Sequence, residues 1–304
     1  MELRQLQQFI AVAETLNFRR AAERLHMAQP PLSVAIRKLE EEVGTPLFER
    51  QPRGVALTAA GIAALGLAHR CLIDAGALRD AAQAAAGGER GLLRVGFVGS
   101  ATYALMPRLL PAFRARYPGV ELVLRESTNL ELLAMVETGE LDIGLVRYPT
   151  GSASALRFEV VEHDVFCAVL PADHALAKKK RLTLAMLARE PFIDYASTRV
   201  PGLHAMVMAA FQQAGLAPWV SQEATQVQTV ISLVQSGLGV ALVPSVSARL
   251  AARDVVFRPL DGLPASAGIA LAMASREDGH NAAAQRFREL ALNQPVARSR
   301  AQRK

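Results

Sequence analysis

The sequence has few cysteines and no long uncharged apolar run. Its two cysteines, Cys71 and Cys167, lie far apart and have no cysteine or histidine neighbours at the spacing of metal ligands. This spacing excludes a disulfide framework and a zinc-finger type of metal site, and it predicts two reduced thiols in a reducing compartment. Because no uncharged apolar run reaches about 18 residues, no membrane span is predicted.

The N-terminal segment lacks the pattern of a secretory signal. In MELRQLQQFIAVAE the apolar positions are interrupted by Glu2, Arg4 and three glutamines, and no cleavage site of small residues follows. We therefore expect a cytoplasmic protein.

The positive charge is unevenly distributed, which limits what it indicates about partners. The formal net charge is +6, but residues 1–60 hold eight basic and seven acidic residues. The final eight residues, ARSRAQRK, hold four basic residues and no acidic ones, and we expect a solubilising basic tail over 296–304. The overall charge therefore does not predict DNA binding, which has to be argued from individual positions.

The first 26 residues predict two helices followed by an abrupt break. Apolar side chains recur every three or four residues over 2–16 and again over 18–26, and Asn17 is placed to cap the second helix. The periodicity stops at Met27. Such a break is either a surface turn in an ordinary helical bundle or a helix-turn-helix, in which the second helix enters a DNA groove.

A third helix and a hairpin follow the break. Pro30 and Pro31 suit the first turn of a helix, and Gly44 suits its end. The stretch TPLFERQPRGVALT (45–58) has two short apolar pieces around a Pro-Arg-Gly tip, which predicts the β-hairpin wing of a winged helix-turn-helix. The apolar stripe predicted for the third helix consists of Leu32, Ile36, Leu39 and Val43.

A long alanine-rich helix is predicted over 59–86, with Thr58 as its cap and Gly87-Gly88 as its end. Its apolar side is a narrow seam of leucine and alanine, which is too small to bury so long a helix alone. We expect a linker helix that packs against the same helix of a second copy in a dimer. The seam consists of Leu65, Ala68, Leu72, Ala75, Leu78 and Ala82.

From residue 91 onward, short apolar runs alternate with helical patterns, which predicts a largely parallel sheet covered on both faces. The segment VETGELDIGLVRYP (136–149) is echoed by VQSGLGVALVPSV (234–246), which favours two similar α/β lobes with a cleft between them. The predicted strands are 92–99, 120–126, 142–147, 165–171, 191–195, 239–244, 255–260 and 269–275, and the predicted helices are 102–117, 129–138, 202–214, 225–236 and 280–292.

The order and spacing of motifs resemble those of LysR-type transcriptional regulators. In the first 62 residues the matching motifs are LRQLQQFIAVAE, FRRAAERLHMAQPPLSVAIRKLEEEVGTPLFER and LTAAG. VGFVGS, LPAFRARYPGVELVLRE, GELDIGLV and SLVQSGLGVALVP resemble the effector domain, so the resemblance covers almost the whole chain. Within the family, VGFVGSATY, ESTN and Arg147 look most like the regulators of benzoate, catechol and chlorocatechol breakdown, which respond to muconate-type diacids.

The expected fold is α/β, with an N-terminal winged helix-turn-helix, a long linker helix and a two-lobed effector domain like the periplasmic binding proteins. Strand 269–275 and the final helix are expected to return to the first lobe through crossovers near 162–164 and 264–268. The expected divisions are 1–58 for DNA binding, 59–90 for the linker and 91–304 for effector binding, with lobe I at about 91–162 and 268–295, lobe II at about 163–267, and the tail at 296–304.

The third helix and the wing carry the candidate DNA contacts. Recognition helices present their N-terminal residues to base edges, where Gln29 can pair with adenine and Pro30 or Val34 can pack on a thymine methyl. The basic residues are expected on phosphates, with Arg53 also suited to a minor groove. For Arg37 and Lys38 the alternative is a solvated pair with an acid four residues on. The candidates are Gln29, Pro30, Pro31, Ser33, Val34, Arg37, Lys38, Arg50 and Arg53.

The carboxyl ends of the predicted strands carry the candidate effector contacts, because ligands of such sheets bind there. Ser100 and Thr128 each follow a strand at an expected helix start, where backbone N–H groups favour a carboxylate; both, like Thr225, are otherwise plain helix caps. Arg147 is expected either to hold an acid or to form a salt bridge between lobes or subunits. The candidates are Ser100, Ala101, Thr102, Thr128, Arg147, Pro201, Gly202, Leu203, Thr225 and Gln226.

Together these patterns predict a DNA-binding regulator, not an enzyme, that is switched by a small carboxylate and needs no metal or cofactor. The expected partners are double-stranded DNA, the acid, and further copies of the chain in a homodimer or homotetramer. The resemblance to the family adds RNA polymerase as an expected partner, and no membrane association is expected. One alternative is a two-lobed solute-binding protein, which residues 1–60 disfavour. Another is an enzyme on the same scaffold, for which no catalytic constellation is found.

Overall fold

The computed structural model describes residues 1–51, 54–87, 91–150, 155–249, 254–264, 267–279 and 281–293. The chain divides into two units, Met1–Ala86 with Thr138–Glu140 and Gly87–Glu137 with Leu141–Lys304. The helices are α1 Leu3–Thr15, α2 Phe18–Arg24, α3 Gln29–Val43, α4 Ala59–Gly87, α5 Leu105–Arg116, α6 Asn129–Glu137, α7 Leu184–Leu187, α8 Pro201–Gln213, α9 Val227–Gln235 and α10 Ala282–Asn293. The strands are β1 Phe48–Gln51, β2 Gly54–Leu57, β3 Gly91–Phe97, β4 Val120–Glu126, β5 Ile143–Tyr148, β6 Arg157–Pro171, β7 Pro191–Tyr195, β8 Trp219–Ala224, β9 Val240–Pro244, β10 Val255–Arg258 and β11 Gly268–Ser275.

Helices α1 to α3 form the predicted helix-turn-helix around one apolar core. The Asn17 side chain caps α2 by accepting hydrogen bonds from the backbone N–H groups of Arg19 at 2.9 Å and Arg20 at 3.1 Å. Gly44 ends α3 in the left-handed region with φ +79°, as its position predicted. Helix α3 buries Leu32, Ile36 and Leu39, but the prediction for Val43 was wrong, because Val43 lies in the last turn and is exposed.

The wing is confirmed as an antiparallel hairpin of β1 and β2, in which Phe48 pairs with Leu57 and Gln51 with Gly54. Its inner side chain Phe48 packs against Phe9 with a centroid separation of 5.4 Å and against Phe18 at 6.1 Å. The wing is therefore held to the helices by aromatic packing. The tip at 52–53 lies outside the described residues.

Helix α4 begins after Thr58, whose hydroxyl accepts a hydrogen bond from the backbone N–H of Gly61 at 3.0 Å, as the predicted cap requires. The seam prediction was wrong in part. Leu65, Ala68 and Leu72 pack against the core of the helix-turn-helix in the same chain, whereas Leu78 is exposed. The first half of the seam is thus already covered.

One segment of the described residues, Ala59–Leu78 in α4, is long and apolar enough to cross a membrane, with mean hydropathy 1.3. A helix of a water-soluble protein meets the same criteria, and Arg70 and Asp74 lie within the segment. The segment is therefore weak evidence for a membrane span.

The second unit is built on one continuous sheet of mixed direction, with strand order β4-β3-β5-β11-β6-β9-β7-β8 and β10 paired to β6. Strand β3 lies parallel between β4 and β5, and β7 lies parallel between β8 and β9. Strands β6 and β11 are antiparallel to each other, and β6 also pairs with β9, so β6 joins the two parallel halves. The α/β architecture is confirmed, but the prediction of a largely parallel sheet was wrong in part, because β11 pairs antiparallel with β5 and β6, and β6 pairs antiparallel with β9 and β10.

Each half of the sheet has its own apolar core, which defines two lobes. The first core includes Leu93, Phe113 and Phe287, and the second includes Phe166, Phe192 and Phe211. Strand β11 pairs with β5, and Phe287 of α10 packs edge-to-face against Phe113 with ring centroids 5.1 Å apart, so the C-terminal segment returns to the first lobe as predicted.

Candidate functional site

The exposed face of α3 presents most of the predicted DNA contacts together. Leu32, Ile36 and Leu39 fix the buried face, and the opposite face is solvent-exposed because of the helical period. Ser33 is half-buried and accepts a hydrogen bond from Gln29 Nε2 at 3.0 Å. The exposed members are Gln29, Pro30, Pro31, Val34, Arg37 and Lys38.

A buried-side contact ties α3 to the wing. The carboxylate of Glu40 accepts hydrogen bonds from the backbone N–H groups of Leu47 at 2.8 Å and Phe48 at 3.1 Å. On the other wing strand, Val55 N–H donates to the carbonyl of Leu16 at 3.2 Å. The recognition face and the wing are thereby held as one surface. Arg50 lies on β1, but its side chain, like all of Arg53, lies outside what the structure describes.

The alternative of local ion pairs for Arg37 and Lys38 is not what the structure contains. The structure describes all four residues concerned, and in it no ion pair joins Arg37 to Glu41 or Lys38 to Glu42. Glu42 instead pairs with the N-terminal ammonium of Met1, which is the main cause of its lowered pKa. Both cations of α3 are exposed, although the charge of Lys38 makes a smaller contribution to the lowered pKa of Glu42.

A cavity in the second unit gathers residues from three helix starts. Residues 127–129 at the start of α6, Val200 and Leu203 at the start of α8, and residues 225–227 at the start of α9 contribute most of the wall. Aligned N-terminal N–H groups carry a partial positive charge, so three helix starts around one space favour an anion. The lining residues are Val98, Gly99, Ser100, Ser127, Thr128, Asn129, Arg147, Val200, Leu203, Thr225, Gln226 and Val227.

Arg147 forms the charged part of the wall. Its Nη1 lies 3.0 Å from Oδ2 of Asp164, its Nε donates to the hydroxyl of Ser100 at 3.0 Å, and both ionic side chains are buried. The salt-bridge alternative for Arg147 is therefore realised, with a partner on β6. Its Nη2 is buried and has no hydrogen-bond partner among the described residues. The Nη2 group, which carries two N–H donors, thus remains for a guest.

The residues behind Arg147 form a polar layer at the junction of the two lobes. Asp164 accepts a hydrogen bond from the Ser245 hydroxyl at 2.6 Å, which fixes the carboxylate. Burial raises the pKa of nearby Glu162, although Arg108, with Nη2 3.5 Å from its Oε2, opposes the shift. The 3₁₀ turn Gly99–Tyr103 lies against this layer, and burial likewise raises the pKa of Tyr103.

Glu131 lies outside the lining but is held by two lining residues, Ser127 and Thr128. Its carboxylate accepts hydrogen bonds from the Ser127 hydroxyl and from Thr128 N–H, and these lower its pKa. The Thr128 hydroxyl in turn accepts from the N–H of Glu131 at 3.4 Å, so Thr128 is also the cap of α6. Arg199, just before α8, reaches Glu131 with Nη2 2.9 Å from Oε1 and links the two lobes.

The structure brings six of the ten predicted effector contacts to this cavity and leaves four outside its lining. Ala101 and Thr102 lie inside the 3₁₀ turn, not at the start of α5, which begins at Leu105, and Ala101 N–H is already bonded to the carbonyl of Val98. Gly202 instead packs against backbone, since a Cβ there would lie 2.7 Å from the carbonyl oxygen of Thr150. Those outside are Ala101, Thr102, Pro201 and Gly202.

Sequence reasoning missed six lining residues, of which Asn129 has the clearest role. Its side chain donates to the carbonyl of Arg147 at 2.7 Å and accepts from the Arg147 N–H at 2.9 Å, which fixes the strand end that carries the arginine. A polar residue at a helix start after a strand was the available signal. The missed residues are Val98, Gly99, Ser127, Asn129, Val200 and Val227.

Over the part of the chain that the structure describes, no group of three or more His, Cys, Asp or Glu side chains is arranged to hold a metal ion. Cys71 is exposed, and burial raises the pKa of the Cys167 thiol, which keeps it protonated.

Comparison with known proteins supports both the helix-turn-helix and the two-lobed unit that carries the cavity. The family described as "Bacterial regulatory helix-turn-helix protein, lysR family" matches residues 3–62, and "LysR substrate binding domain" matches residues 86–295. The HTH-type transcriptional regulator AlsR of Bacillus subtilis (strain 168) is 41% identical over 281 residues, which cover 92% of each chain. The Hca operon transcriptional activator HcaR of Escherichia coli (strain K12) is 42% identical over 276 residues, covering 90% of this chain and 91% of that protein.

A solved structure of full-length CbnR in complex with its target DNA matches with TM-score 0.75 at 28% identity, and covers 96% of this chain and 99% of that chain. A helix-turn-helix joined to a two-lobed binding domain defines a transcriptional regulator of the one-component type. The chain belongs to the LysR family of DNA-binding transcriptional regulators, and it carries that family's effector-binding domain.

Proposed function

We propose that this chain is a cytoplasmic one-component switch in which a small carboxylate, bound in the cavity between the lobes, alters how a dimer or tetramer engages its operator. In this proposal residues 1–58 bind DNA, 59–90 link and associate the copies, and 91–304 bind the effector. RNA polymerase is a further proposed partner on the promoter.

One observation carries the carboxylate assignment: the buried Nη2 of Arg147 has no partner among the described residues, at a wall shared by three helix starts. A carboxylate oxygen is the natural acceptor for such a donor, and the helix N-termini stabilise its charge. Without a guest, the orphaned donor is an unfavourable feature of the fold.

The size of the cavity and the charges of its wall limit which ligands are possible. The cavity and its open mouth together span about 350 Å³, and part of this space is open solvent, so the guest has to be a small molecule. Since Asp164 already offsets the charge of Arg147, one carboxylate suits this wall, and Val98, Val200 and Leu203 offer apolar contact to the rest of the molecule. An aromatic acid with one carboxylate meets this description, and a muconate meets it with one of its two carboxylates on this wall, in keeping with the resemblance to regulators of aromatic catabolism.

The proposed DNA contacts are the residues on the exposed face of α3 together with Arg50 and Arg53 of the wing. Gln29, Ser33 and Val34 face base edges in this arrangement, and Arg37 and Lys38 face phosphates. Because the cations are not paired with Glu41 or Glu42, they are available for the DNA backbone.

The switch requires the effector to favour one arrangement of the lobes and subunits over another, since a ligand shifts an equilibrium only through differential affinity. The Arg199–Glu131 pair bridges the lobes beside the cavity and would sense such a change.

The first test is a thermal-shift panel on the purified full chain with benzoate, salicylate, muconates, catechol and amino acids. A ligand at about 100 times its dissociation constant adds about 2.7 kcal/mol, which raises the melting temperature measurably. We expect a shift with an aromatic or unsaturated acid, lost in Ser100→Ala and weakened in Thr128→Val but kept in Thr102→Val, which lies outside the lining. No shift with any acid would remove the carboxylate assignment.

A second test separates the two modules. Ser33→Ala and Arg53→Ala should weaken binding to operator DNA and leave the effector-induced thermal shift unchanged. If effector affinity fell in step with DNA affinity in these variants, the proposed division into modules would be wrong.

A further inference from the structure

Lobe II carries an exposed run of four basic residues that the proposed sites do not use. The basic loop is defined as Lys178, which is the last residue of the 3₁₀ turn Ala175–Lys178, and the three residues after it, Lys179, Lys180 and Arg181. All four side chains are exposed. Three of the chain's five lysines stand in this loop. Most other basic residues of the chain are arginines. The ammonium group of lysine is a point charge on a flexible stem, which suits contact with a diffuse anion better than the directed bidentate pairing of arginine does.

A fifth basic residue, Arg258, fixes the backbone of the loop through hydrogen bonds. The guanidinium of Arg258 on β10 donates to the carbonyl of Ala177 and, at 2.5 Å, to the carbonyl of Lys179. On the far side of the loop, Leu182 is buried and its carbonyl accepts from the N–H of Asp261 at 2.8 Å. Repulsion among four adjacent cations would otherwise open the loop, so these contacts keep the charge concentrated.

The lysines of the loop are not neutralised within the chain. No ion pair joins Lys178, Lys179 or Lys180 to an acidic side chain of the described residues, and Arg181 has a single, exposed partner in Asp261 at 3.6 Å. Residues 61–296 carry a net charge of +1, to which the loop alone contributes +4. The rest of this region is therefore net acidic, and the loop is a local positive site on it.

The surroundings of the loop favour a nucleic acid over a protein as the partner. None of the exposed large apolar side chains that the structure describes lies within 172–190 or 254–264. Protein interfaces draw their affinity from buried aromatic or aliphatic anchors, whereas the phosphate backbone is bound by charge alone.

We infer that the basic loop is a second DNA-contacting surface, which binds the phosphate backbone without reading sequence while the helix-turn-helix reads the operator. Each phosphate contact releases a counterion, so the loop should add affinity that declines steeply with salt. It would strengthen binding to promoter DNA without changing which bases are preferred.

The test compares the full chain with Lys179→Gln/Lys180→Gln and with a charge-matched control, Arg114→Gln/Arg116→Gln on the exposed end of α5. Affinity for a fluorescent duplex of unselected sequence is measured at a series of salt concentrations by anisotropy. We expect the loop variant to lose several-fold in affinity at low salt, and its slope of log K against log[salt] to become shallower by about 1.8, at about 0.9 per phosphate contact. The control should match the wild-type chain.

Either of two other results would overturn the inference. Equal loss in both double variants would mean a general effect of net charge and not a site. Wild-type slopes in both would remove DNA as the partner, and a drop in transcription by purified RNA polymerase confined to the loop variant would then assign the loop to an acidic surface of that enzyme.

Discussion

Arg147 and Asp164 form a buried ion pair. The desolvation of the two charges is offset only by their close contact and by the hydrogen bonds around them. Two charges removed from water lose several kcal/mol of hydration each, and a 3.0 Å contact with further hydrogen bonds from Ser100 and Ser245 restores part of it. The pair is therefore a weak source of stability but a strict constraint: neither partner is tolerated alone.

We predict that Arg147→Gln lowers the free energy of unfolding of the effector domain by about 3–5 kcal/mol, because Asp164 is left as an uncompensated buried charge. Adding Asp164→Asn should restore most of the loss. Urea unfolding followed by circular dichroism measures both. Arg157→Gln is the control, since its pair with Glu159 is half exposed and should be worth less than about 1 kcal/mol. A loss below 1 kcal/mol for Arg147→Gln would contradict the prediction.

Asp194 is a second buried acid, and it makes stability depend on pH. Its Oδ2 lies 2.7 Å from Nδ1 of His204, while its Oδ1 is buried with no hydrogen-bond partner among the described residues. Burial raises the pKa of Asp194 above its ordinary value of 3.8, and the backbone N–H of Tyr195 and, to a smaller extent, the contact with His204 oppose the shift without cancelling it.

An acid with a raised folded pKa stabilises the fold below its unfolded pKa, and that stabilisation is lost as the pH rises through the folded pKa. Asp194→Asn, which is neutral at every pH, should therefore gain stability relative to wild type as the pH rises from 3.8, and the gain should level off above the raised pKa. Melting temperatures of both chains across the acid range measure this. Repeating the comparison in a His204→Gln background excludes titration of the imidazole, and a pH-independent difference would refute the prediction.

At the scale of elements, α4 shows how close packing decides the role of a glycine. A Cβ on Gly61 would lie 2.2 Å from the carbonyl oxygen of Leu47, which is backbone and cannot move aside. Gly66, in the next turn and a half of the same helix, has nothing within 4 Å of its Cβ position. The two glycines are alike in sequence but opposite in environment.

Gly61→Ala should destabilise the DNA-binding unit by about 1–3 kcal/mol through overpacking against the wing. Gly66→Ala should stabilise it by about 0.4–1 kcal/mol, since alanine lowers the conformational entropy of the unfolded chain. Thermal or urea unfolding of the two variants in parallel gives the signs. The same sign in both would show that the Gly61 contact does not control the packing.

At the scale of the whole molecule, the exposed side of α4 leaves apolar surface for assembly. Leu67 and Leu78 are 59% and 74% exposed, and their spacing of three turns puts both on one face of the helix. Because Leu65 and Leu72 pack within the chain, the surface available to a second copy is this face, which keeps Leu78 of the predicted seam and adds Leu67, which lies outside it.

We predict that Leu67→Gln/Leu78→Gln shifts the full chain toward monomer in sedimentation velocity and weakens operator binding, because two linked heads bind more tightly than one. Leu292→Gln on α10, also exposed, should leave the assembly unchanged. An unaltered sedimentation profile in the α4 variant would place the subunit contact elsewhere.

Local patterns predicted most helices and strands, because periodicity, caps and prolines act within a few residues. Asn17, Gly44 and Thr58 are at their predicted roles, and β4 and β7 have the predicted bounds. Two elements were missed because they carry no local periodic pattern. Strand β8 is an exposed edge strand without an apolar run, and α7 is a single turn.

What the sequence by itself determined is the helix-turn-helix with its wing, the long α4 and the alternating α/β lobes, since each follows from side-chain period and turn chemistry. The tertiary structure alone decided which ends meet. It paired Arg147 with Asp164, tied the wing to α3 through Glu40, and placed the starts of α6, α8 and α9 around one cavity. These contacts depend on strand order and lobe packing, which join distant positions and leave no local pattern.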